Sequence, residues 1–339
     1  MSDWKRIARP AWARQIGRLV RGFARWPRAI AAYAYDMRRF AAASGAIWGD
    51  RAAPTLEARL VKEYHRIEKG LAMPEPRMGF GQRLIAEVQR LVTVNEEAAG
   101  PTFHSAGARS ALLAYRGATT CLPETATSIA EFEAARPAAS MPEAGMRWES
   151  RDAVRQASAI DFAAFARSRS SVRDFSGEPV PEAIIRESVA IAMKSPRVCN
   201  RGTARCHAIF DPDLKARALA LQNGNTGFGH LAGAVLVITS DRRGFHDLGE
   251  RNQCWVDGGL FAMTLCHALH AAGYGTCMLN WSVLPDKDRA LHRLLAIPEE
   301  EAIITLMAVG GLKERYRVAV SPREPVETAF RVVKASGRA

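Results

Sequence analysis

The chain has 339 residues, 48% hydrophobic and 24% charged, with a formal net charge of +12. With Gly 26 and Pro 17 these are globular values; they exclude fibrous and low-complexity classes, and the length allows a large core in one or two domains. Residues 1–50 hold ten Lys or Arg against Asp3, Asp36 and Asp50, so +7 of the charge sits in an N-terminal arm.

Over residues 4–43, Trp4, Ile7, Trp12, Ile16, Leu19, Val20 and Phe23 recur near helical spacing with Arg between them. Pro10 and Pro27 are expected to break this helix into pieces. Trp and Phe on one face with Arg on the other suits a helix lying in an anionic membrane interface, and equally one that packs on the body and solvates its charges. Amphipathicity alone does not choose between them. No helix-turn-helix, zinc-finger or RNP signature accompanies the charge, so no specific nucleic-acid partner is expected.

Residues 51–135 read as a helical extension. One helix runs through Leu56, Leu60, Val61 and Tyr64, and a second through Leu84, Ile85, Val88, Leu91 and Val92, with a Pro/Gly-rich turn at 73–81 between them. His65 and Glu68 share a face at i, i+3, a spacing that serves a proton relay and, more often, a structural hydrogen bond. Ala, Pro, Glu and Met without a period mark 136–157 as a linker, and a domain follows over 158–339.

In that domain helices and strands alternate. Helices are predicted at about 181–194, 213–222, 255–272 and 286–296, and strands at about 206–210, 234–239, 275–280 and 302–309. The run 234–239 is apolar without alternation, as for a strand buried on both faces. Gly273 suits the residue after a helix end. The pattern predicts an α+β fold, an α/β sandwich, rather than a helical bundle.

The six cysteines include no C-x-x-C pair, and Arg residues interrupt the N-terminus before any signal-like apolar run forms. A reduced, cytoplasmic protein is expected, with contact at the inner face of the membrane through the arm as a further option. Cys266 and His270 stand i, i+4 on one helix, but no third metal ligand has convincing spacing, so no metal is expected. Cys199, Cys206 and His207 cluster near one loop, and a reduced Cys is usually a small buried hydrophobe. Gly224–Gly229 lacks the Gly-Lys-Ser/Thr of a P-loop and reads as a flexible loop, and Asp257 suits a helix N-terminus.

The densest local signal is Arg169-Ser170-Ser171-Val172-Arg173-Asp174-Phe175. Two guanidinium forks flanking two hydroxyls suit the oxygens of a phosphate monoester, although a solvated basic turn has the same composition. Arg-x-Ser-x-Arg-x-Phe, then Glu178-Pro179-Val180-Pro181 and a helix, resembles the opening of nitroreductase-type flavoproteins. Ser195-Pro196-Arg197-Val198-Cys199-Asn200 stands where that family has a Ser-Pro-Ser-x-x-Asn loop. Gly273-Tyr274-Gly275-Thr276 and the Val309-Gly310-Gly311 and Arg323-Glu324-Pro325 blocks follow in the family's order, so the resemblance covers about 160–333.

The resemblance implies a mostly antiparallel central sheet flanked by helices, with FMN as cofactor and NADH or NADPH as electron donor. It implies a homodimer with FMN at the interface and a small-molecule acceptor. Arg169, Ser171, Arg173 and Arg323 would hold the phosphate, with Ser170 contributing mainly backbone. Asn200 and Arg201 would approach the ring, and backbone amides near Leu279 and Asn280 would face its N5/O4 edge. No acid–base residue is implied, because the chemistry is the cofactor's. The family often continues with Gln-Pro-Trp after the loop Asn, where this chain has Gly202-Thr203-Ala204. That departure puts the contact of Arg201 in doubt and implies an acceptor site of different shape. Tyr64–Leu71 with Arg77–Gly81 resembles a subgroup of nitroreductase-like proteins associated with surface-polysaccharide gene clusters. Two other readings remain: flavin-dependent oxidation, dehalogenation or flavin fragmentation on the same fold, and a membrane- or partner-associated scaffold with little turnover.

Overall fold

The computed structural model describes residues 11–50, 52–135 and 142–333; the side chains of 11–22 and 24 lie outside it, as does Pro10. The N-terminal part is helical: α1 (Ala11–Ala43), α2 (Gly45–Trp48), α3 (Ala53–Leu71), α4 (Gln82–Ala99), α5 (Phe103–Arg116) and α6 (Pro123–Ala135). After it come α7 (Arg151–Ala157), α8 (Phe162–Ser168), α9 (Glu182–Ala192), β1 (Ala204–Ile209), α10 (Pro212–Leu221), β2 (Ala234–Asp241), α11 (Gln253–Ala271), β3 (Tyr274–Asn280), α12 (Pro285–Leu295) and β4 (Glu301–Gly311).

Local chemistry explains several boundaries. Thr102 and Ser105 cap α5 reciprocally: Ser105 N donates to Thr102 Oγ1 at 3.1 Å and Thr102 N to Ser105 Oγ at 3.0 Å. Asp211 Oδ1 accepts from Leu214 N at 2.7 Å and Pro212 opens α10. α12 carries Asp286 and Asp288 in its first turn and His292 and Arg293 in its last, matching the helix dipole at both ends.

The sheet has the order β1-β2-β4-β3, and each neighbouring pair is antiparallel. All eight residues of β2 are buried, as the uninterrupted apolar run predicts. Its alternate side chains serve two cores. Ala234, Leu236 and Ile238 pack with Ile185, Phe261, Leu265 and Leu269 of α9 and α11. Val235 and Val237 pack with Leu219, Leu291 and Leu306 on the side of α10 and α12. The result is the expected α+β sandwich: an antiparallel sheet with helices on both faces.

A separate core belongs to the helical unit. Leu60, Tyr64, Ile67, Val88, Leu91, Leu112, Tyr115 and Ile129 are buried together. α5 and α6 bring Arg109 and Glu133 into a buried pair at 2.8 Å. The His65–Glu68 pair forms at 2.7 Å, and Glu68 Oε1 also accepts from Gly145 N at 3.2 Å. The pair therefore ties the segment after α6 back onto α3, which is the structural role.

α1 corrects one expectation: Pro27 lies inside a continuous helix rather than breaking it. Its C-terminal end is docked. Arg39 donates to Asp288 Oδ2 at 2.6 Å, to the Glu299 and Glu301 carbonyls at 2.6 and 2.8 Å, and meets His292 Nε2 at 2.8 Å. Tyr35 donates to the same Asp288 oxygen at 2.8 Å, and Phe40 packs against Phe245. Upstream, Phe23, Trp26, Ile30, Tyr33 and Met37 form a stripe that is 61–78% exposed.

The docking implies a pH dependence. His292 Nδ1 lies 3.1 Å from the Ile297 carbonyl and so carries the ring proton, which leaves Nε2 to accept from Arg39. Burial, and secondarily the adjacent Arg39, hold its pKa below the ordinary 6.5. With the folded value lowered, the undocked state binds more protons as pH falls below 6.5. Docking is therefore fully stable above that pH and weakens as pH falls through the depressed value. Amide exchange at residues 35–48, corrected for intrinsic rate, is expected to be faster at pH 5.5 than at 7.5. His292→Gln, which keeps an acceptor for Arg39 but does not titrate, should remove the difference. Equal protection in the native protein at both pH values would disprove the latch.

Candidate functional site

The segment 169–175 lies along the free edge of β3. Val172 N donates to the Thr276 carbonyl at 2.9 Å, Ser171 bridges Thr276 in parallel, and Phe175 bridges Leu312. Two glycines of the sequence blocks make this approach feasible. A Cβ on Gly275 would stand 3.0 Å from Val172 Cβ, and one on Gly310 would stand 2.6 Å from Phe175 Cδ1. Gly275 and Gly310 thus form a flat seat for Val172 and Phe175, both buried, and the intervening side chains turn outward.

Three guanidiniums of the predicted phosphate set have no carboxylate partner among the described residues. Arg173 is exposed; it reaches the Ser171 carbonyl at 3.4 Å and stands 5.7 Å over the Phe228 ring. Arg169 caps α8, close enough to His270 for its charge to lower that imidazole's pKa, after burial as the larger cause. Arg323 Nη1 donates to the Ser321 carbonyl at 2.5 Å, on an exposed tail. The neighbouring acid is occupied, since Asp174 pairs with Lys313. Two hydroxyls flanked by the guanidiniums of Arg169 and Arg173 suit a dianionic phosphate by their chemistry; no hydrogen bond among the described residues brings Arg323 to them. Phe228, in the glycine-rich stretch that reads as a mere loop, was not legible as the floor under Arg173.

The loop predicted to approach a flavin ring is tightly held. Cys199 and Asn200 both have positive φ, +48° and +57°. Asn200 Oδ1 accepts from Arg197 Nε at 3.1 Å, and Asp257 Oδ2 accepts from Val198 N at 3.2 Å. Asp257, read above only as a helix-end acid, therefore braces this loop. Arg201 is turned inward and only 1% exposed. It pairs with both carboxylate oxygens of Glu250 and donates to the Gly244 carbonyl at 2.8 Å. Its guanidinium is committed to the interior, which agrees with the doubt raised by the altered Gly202-Thr203-Ala204 continuation.

On β3, Leu279 is buried and Asn280 exposed, with the Leu279 carbonyl accepting from Thr305 Oγ1 at 3.0 Å and the Asn280 carbonyl from Gln222 Nε2 at 3.0 Å. Thr276, three residues before Leu279, holds Ser171 and Val172, so the 169–175 and 279–280 blocks share one sheet edge. Asn200 belongs to a different neighbourhood, beside the start of α11. Cys266 Sγ meets Thr276 Oγ1 at 3.2 Å, His270 meets Ser168 Oγ at 2.7 Å, and His207 pairs with Glu301 at 2.7 Å. Burial pushes the Cys206 thiol up to about 12, which makes it inert at neutral pH.

Residues 214–311 match a family model described as the nitroreductase family. The resemblance read from the sequence therefore holds over that segment, which includes Leu279 and Asn280 but neither 169–175, Asn200 nor Arg323. An NADH dehydrogenase of Thermus thermophilus is 27% identical over 185 residues, covering 44% of this chain and 86% of that protein. A nitroreductase family protein from Streptococcus pneumoniae aligns at 17% identity and TM-score 0.45, over 51% of this chain and 100% of that one. An FMN-dependent nitroreductase from Clostridium difficile aligns at 16% identity and TM-score 0.43, over 51% of this chain and 99% of that one.

Proposed function

We propose that this chain, whose residues 214–311 match the nitroreductase family model, is an FMN-dependent oxidoreductase that takes hydride from NADH or NADPH and reduces a small organic acceptor. The observation that carries the reading is that Arg169 and Arg173, with no carboxylate partner among the described residues, flank Ser171, whose backbone bridges Thr276 on β3, the strand that also carries Leu279 and Asn280. When bound, FMN supplies the electron transfer. The chain's residues bind and orient it: Arg169, Arg173, Ser170, Ser171 and Arg323 hold the phosphate end. The backbone at Leu279 and Asn280 steadies negative charge at the ring edge. Asn200, on its braced loop, reaches the ring of the partner's flavin in a homodimer. The 313–333 tail supports the dimer: Val320 is 92% and Phe330 66% exposed in the single chain. The purified protein should be yellow, release about one FMN per chain on heating, and elute at dimer mass. A colourless protein that takes up no added FMN would overturn the oxidoreductase reading.

The exposed stripe of α1 favours a second reading, for the arm alone. Among the described residues no helix is long and apolar enough to cross a membrane. An interfacial helix needs less: one apolar face, here Phe23, Trp26, Ile30, Tyr33 and Met37, with cations such as Arg25 and Arg28 beside it. The full chain is expected to float with vesicles containing anionic lipid, and a chain lacking residues 1–34 to stay behind. Equal flotation of both, or of neither, would remove the arm from any membrane role.

A further inference from the structure

We propose that the cavity between the helical unit and the C-terminal domain binds a small organic acid, with a flat apolar body against Phe103 and Phe261 and its carboxylate on Arg197. The cavity holds about 410 Å³, within the range of small-molecule sites. α5 contributes Phe103 and His104, α9 contributes Val189 and Ala192, Met193 follows α9, and α11 contributes Phe261. The 195–203 loop and the start of β1 close it with Arg197 and Arg205 and the small residues Gly202, Thr203 and Ala204. The walls are mainly apolar, with few polar groups to fix an orientation.

Arg197 is the anchor. It is partly buried, and Nε is spent on Asn200 Oδ1 at 3.1 Å. Among the described residues no carboxylate lies within ion-pair distance of it. The nearest acid in the cavity, Asp257, is occupied by Val198 N at 3.2 Å and Gln253 Nε2 at 2.9 Å. Neighbouring arginines are different: Arg201 pairs with Glu250, Arg243 with Asp241, and Arg205, which also lines the cavity, reaches Asp241 at 4.0 Å and donates to the Gly202 and Ala204 carbonyls at 2.6 and 3.0 Å. A guanidinium half removed from water without an acid is less well stabilised than a paired one, and a ligand carboxylate supplies the missing partner in bidentate geometry.

His104 offers a second donor. Its Nδ1 lies 3.3 Å from Tyr64 Oη, and burial pushes that phenol up to about 12, so the hydroxyl keeps its proton. Burial also lowers the pKa of His104, and the neutral ring whose Nδ1 accepts from Tyr64 carries its proton on Nε2. The ring is fixed edge-on to Phe103, with centroids 5.3 Å apart.

The departure from Gln-Pro-Trp now has a physical consequence. A Cβ at Gly202 would stand 2.9 Å from Arg197 Nη1, so glycine lets the guanidinium lie against the loop. Thr203 is buried and its Oγ1 accepts from Ser240 Oγ at 3.0 Å, while Ala204 adds only a methyl to the cavity wall. Phe103 and His104 come from the helical unit and Arg197 and Phe261 from the C-terminal domain, so the site needs both parts of the chain.

Isothermal titration of the full-length protein with 2-naphthoate, 2-naphthamide and inorganic phosphate tests the proposal. Naphthoate should saturate one site per chain, with the neutral amide weaker by about tenfold or more, since a charge-assisted bond is lost. Arg197→Gln should bring the acid to the level of the amide. Phe103→Glu, at a side chain 69% exposed and so tolerant in folding, should weaken the acid more than the amide. Equal binding of acid and amide by the native protein, unchanged acid binding by Arg197→Gln, or phosphate binding as tight as naphthoate that is lost in Arg197→Gln would each overturn it. Heat is the readout, so the flavin reading stands or falls separately: colourless protein that binds naphthoate refutes only the oxidoreductase proposal, and yellow protein that does not bind it refutes only this one.

Discussion

Arg173→Ala is expected to lose FMN on dialysis while remaining folded. Arg173 is exposed, its one hydrogen bond is a long contact to the Ser171 carbonyl, and no acid pairs with it among the described residues. Its removal therefore costs the fold little. A hydrogen bond to a charged group is worth ~1.5–3 kcal/mol. That corresponds to a loss of roughly ten- to a hundredfold in FMN affinity. Flavin absorbance after dialysis and a fluorescence titration with added FMN measure it. Arg186→Ala is the control, because Arg186 sits in an exposed i, i+4 pair with Glu182, worth only ~0.3–0.5 kcal/mol, and should retain flavin. Native-like retention by Arg173→Ala would move the phosphate site elsewhere.

Glu250→Ala is expected to be the most destabilising single change at the candidate site. It strips Arg201, 1% exposed, of both carboxylate contacts and leaves the Gly244 carbonyl as its main acceptor. Burial alone would raise the Glu250 carboxyl's pKa, but the Arg201 hydrogen bond and charge outweigh it and hold it below the ordinary value. Leaving a buried charge unpaired typically costs ~3–5 kcal/mol. At ~2–4 °C per kcal/mol for a domain of this size, the melting temperature should fall by roughly 10 °C. The double change Arg201→Met with Glu250→Leu removes both charges and should recover much of that loss. A melting temperature unmoved by Glu250→Ala would mean that Arg201 finds another partner, and that the 197–203 loop does not depend on this pair.

These two arginines show how far residue type carries a functional reading. Arg173 and Arg201 both stand in family-like blocks, and both carry the fork that suits an anion. The spacing of Arg169, Ser171 and Arg173 is local information, because alternate residues of an extended segment share a side. In the structure Arg169 ends α8, Ser171 bridges Thr276 of β3, and Arg173 stands over the Phe228 ring. Arg201 follows a loop whose direction depends on positive φ at Cys199 and Asn200 and on Asp257 from a helix more than fifty residues away. Nothing near Arg201 in the chain announces Glu250.

The sequence by itself determined the succession of elements, the α+β class and the doubly buried strand 234–239, because period, Gly/Pro punctuation and apolar runs act over a few residues. It also carried the order of the motif blocks. It misjudged Pro27, whose cost is absorbed within a helix of 33 residues. Only the tertiary structure decided that Gly275 and Gly310 are a seat for Val172 and Phe175, that Phe228 lies under Arg173, and that His65 and Glu68 fasten a loop. It alone joined α5 to the 195–203 loop around Arg197. Each of these contacts closes a long loop, and its partners are selected by packing and by the cost of burying an unpaired polar group, neither of which is written in any short stretch of the chain.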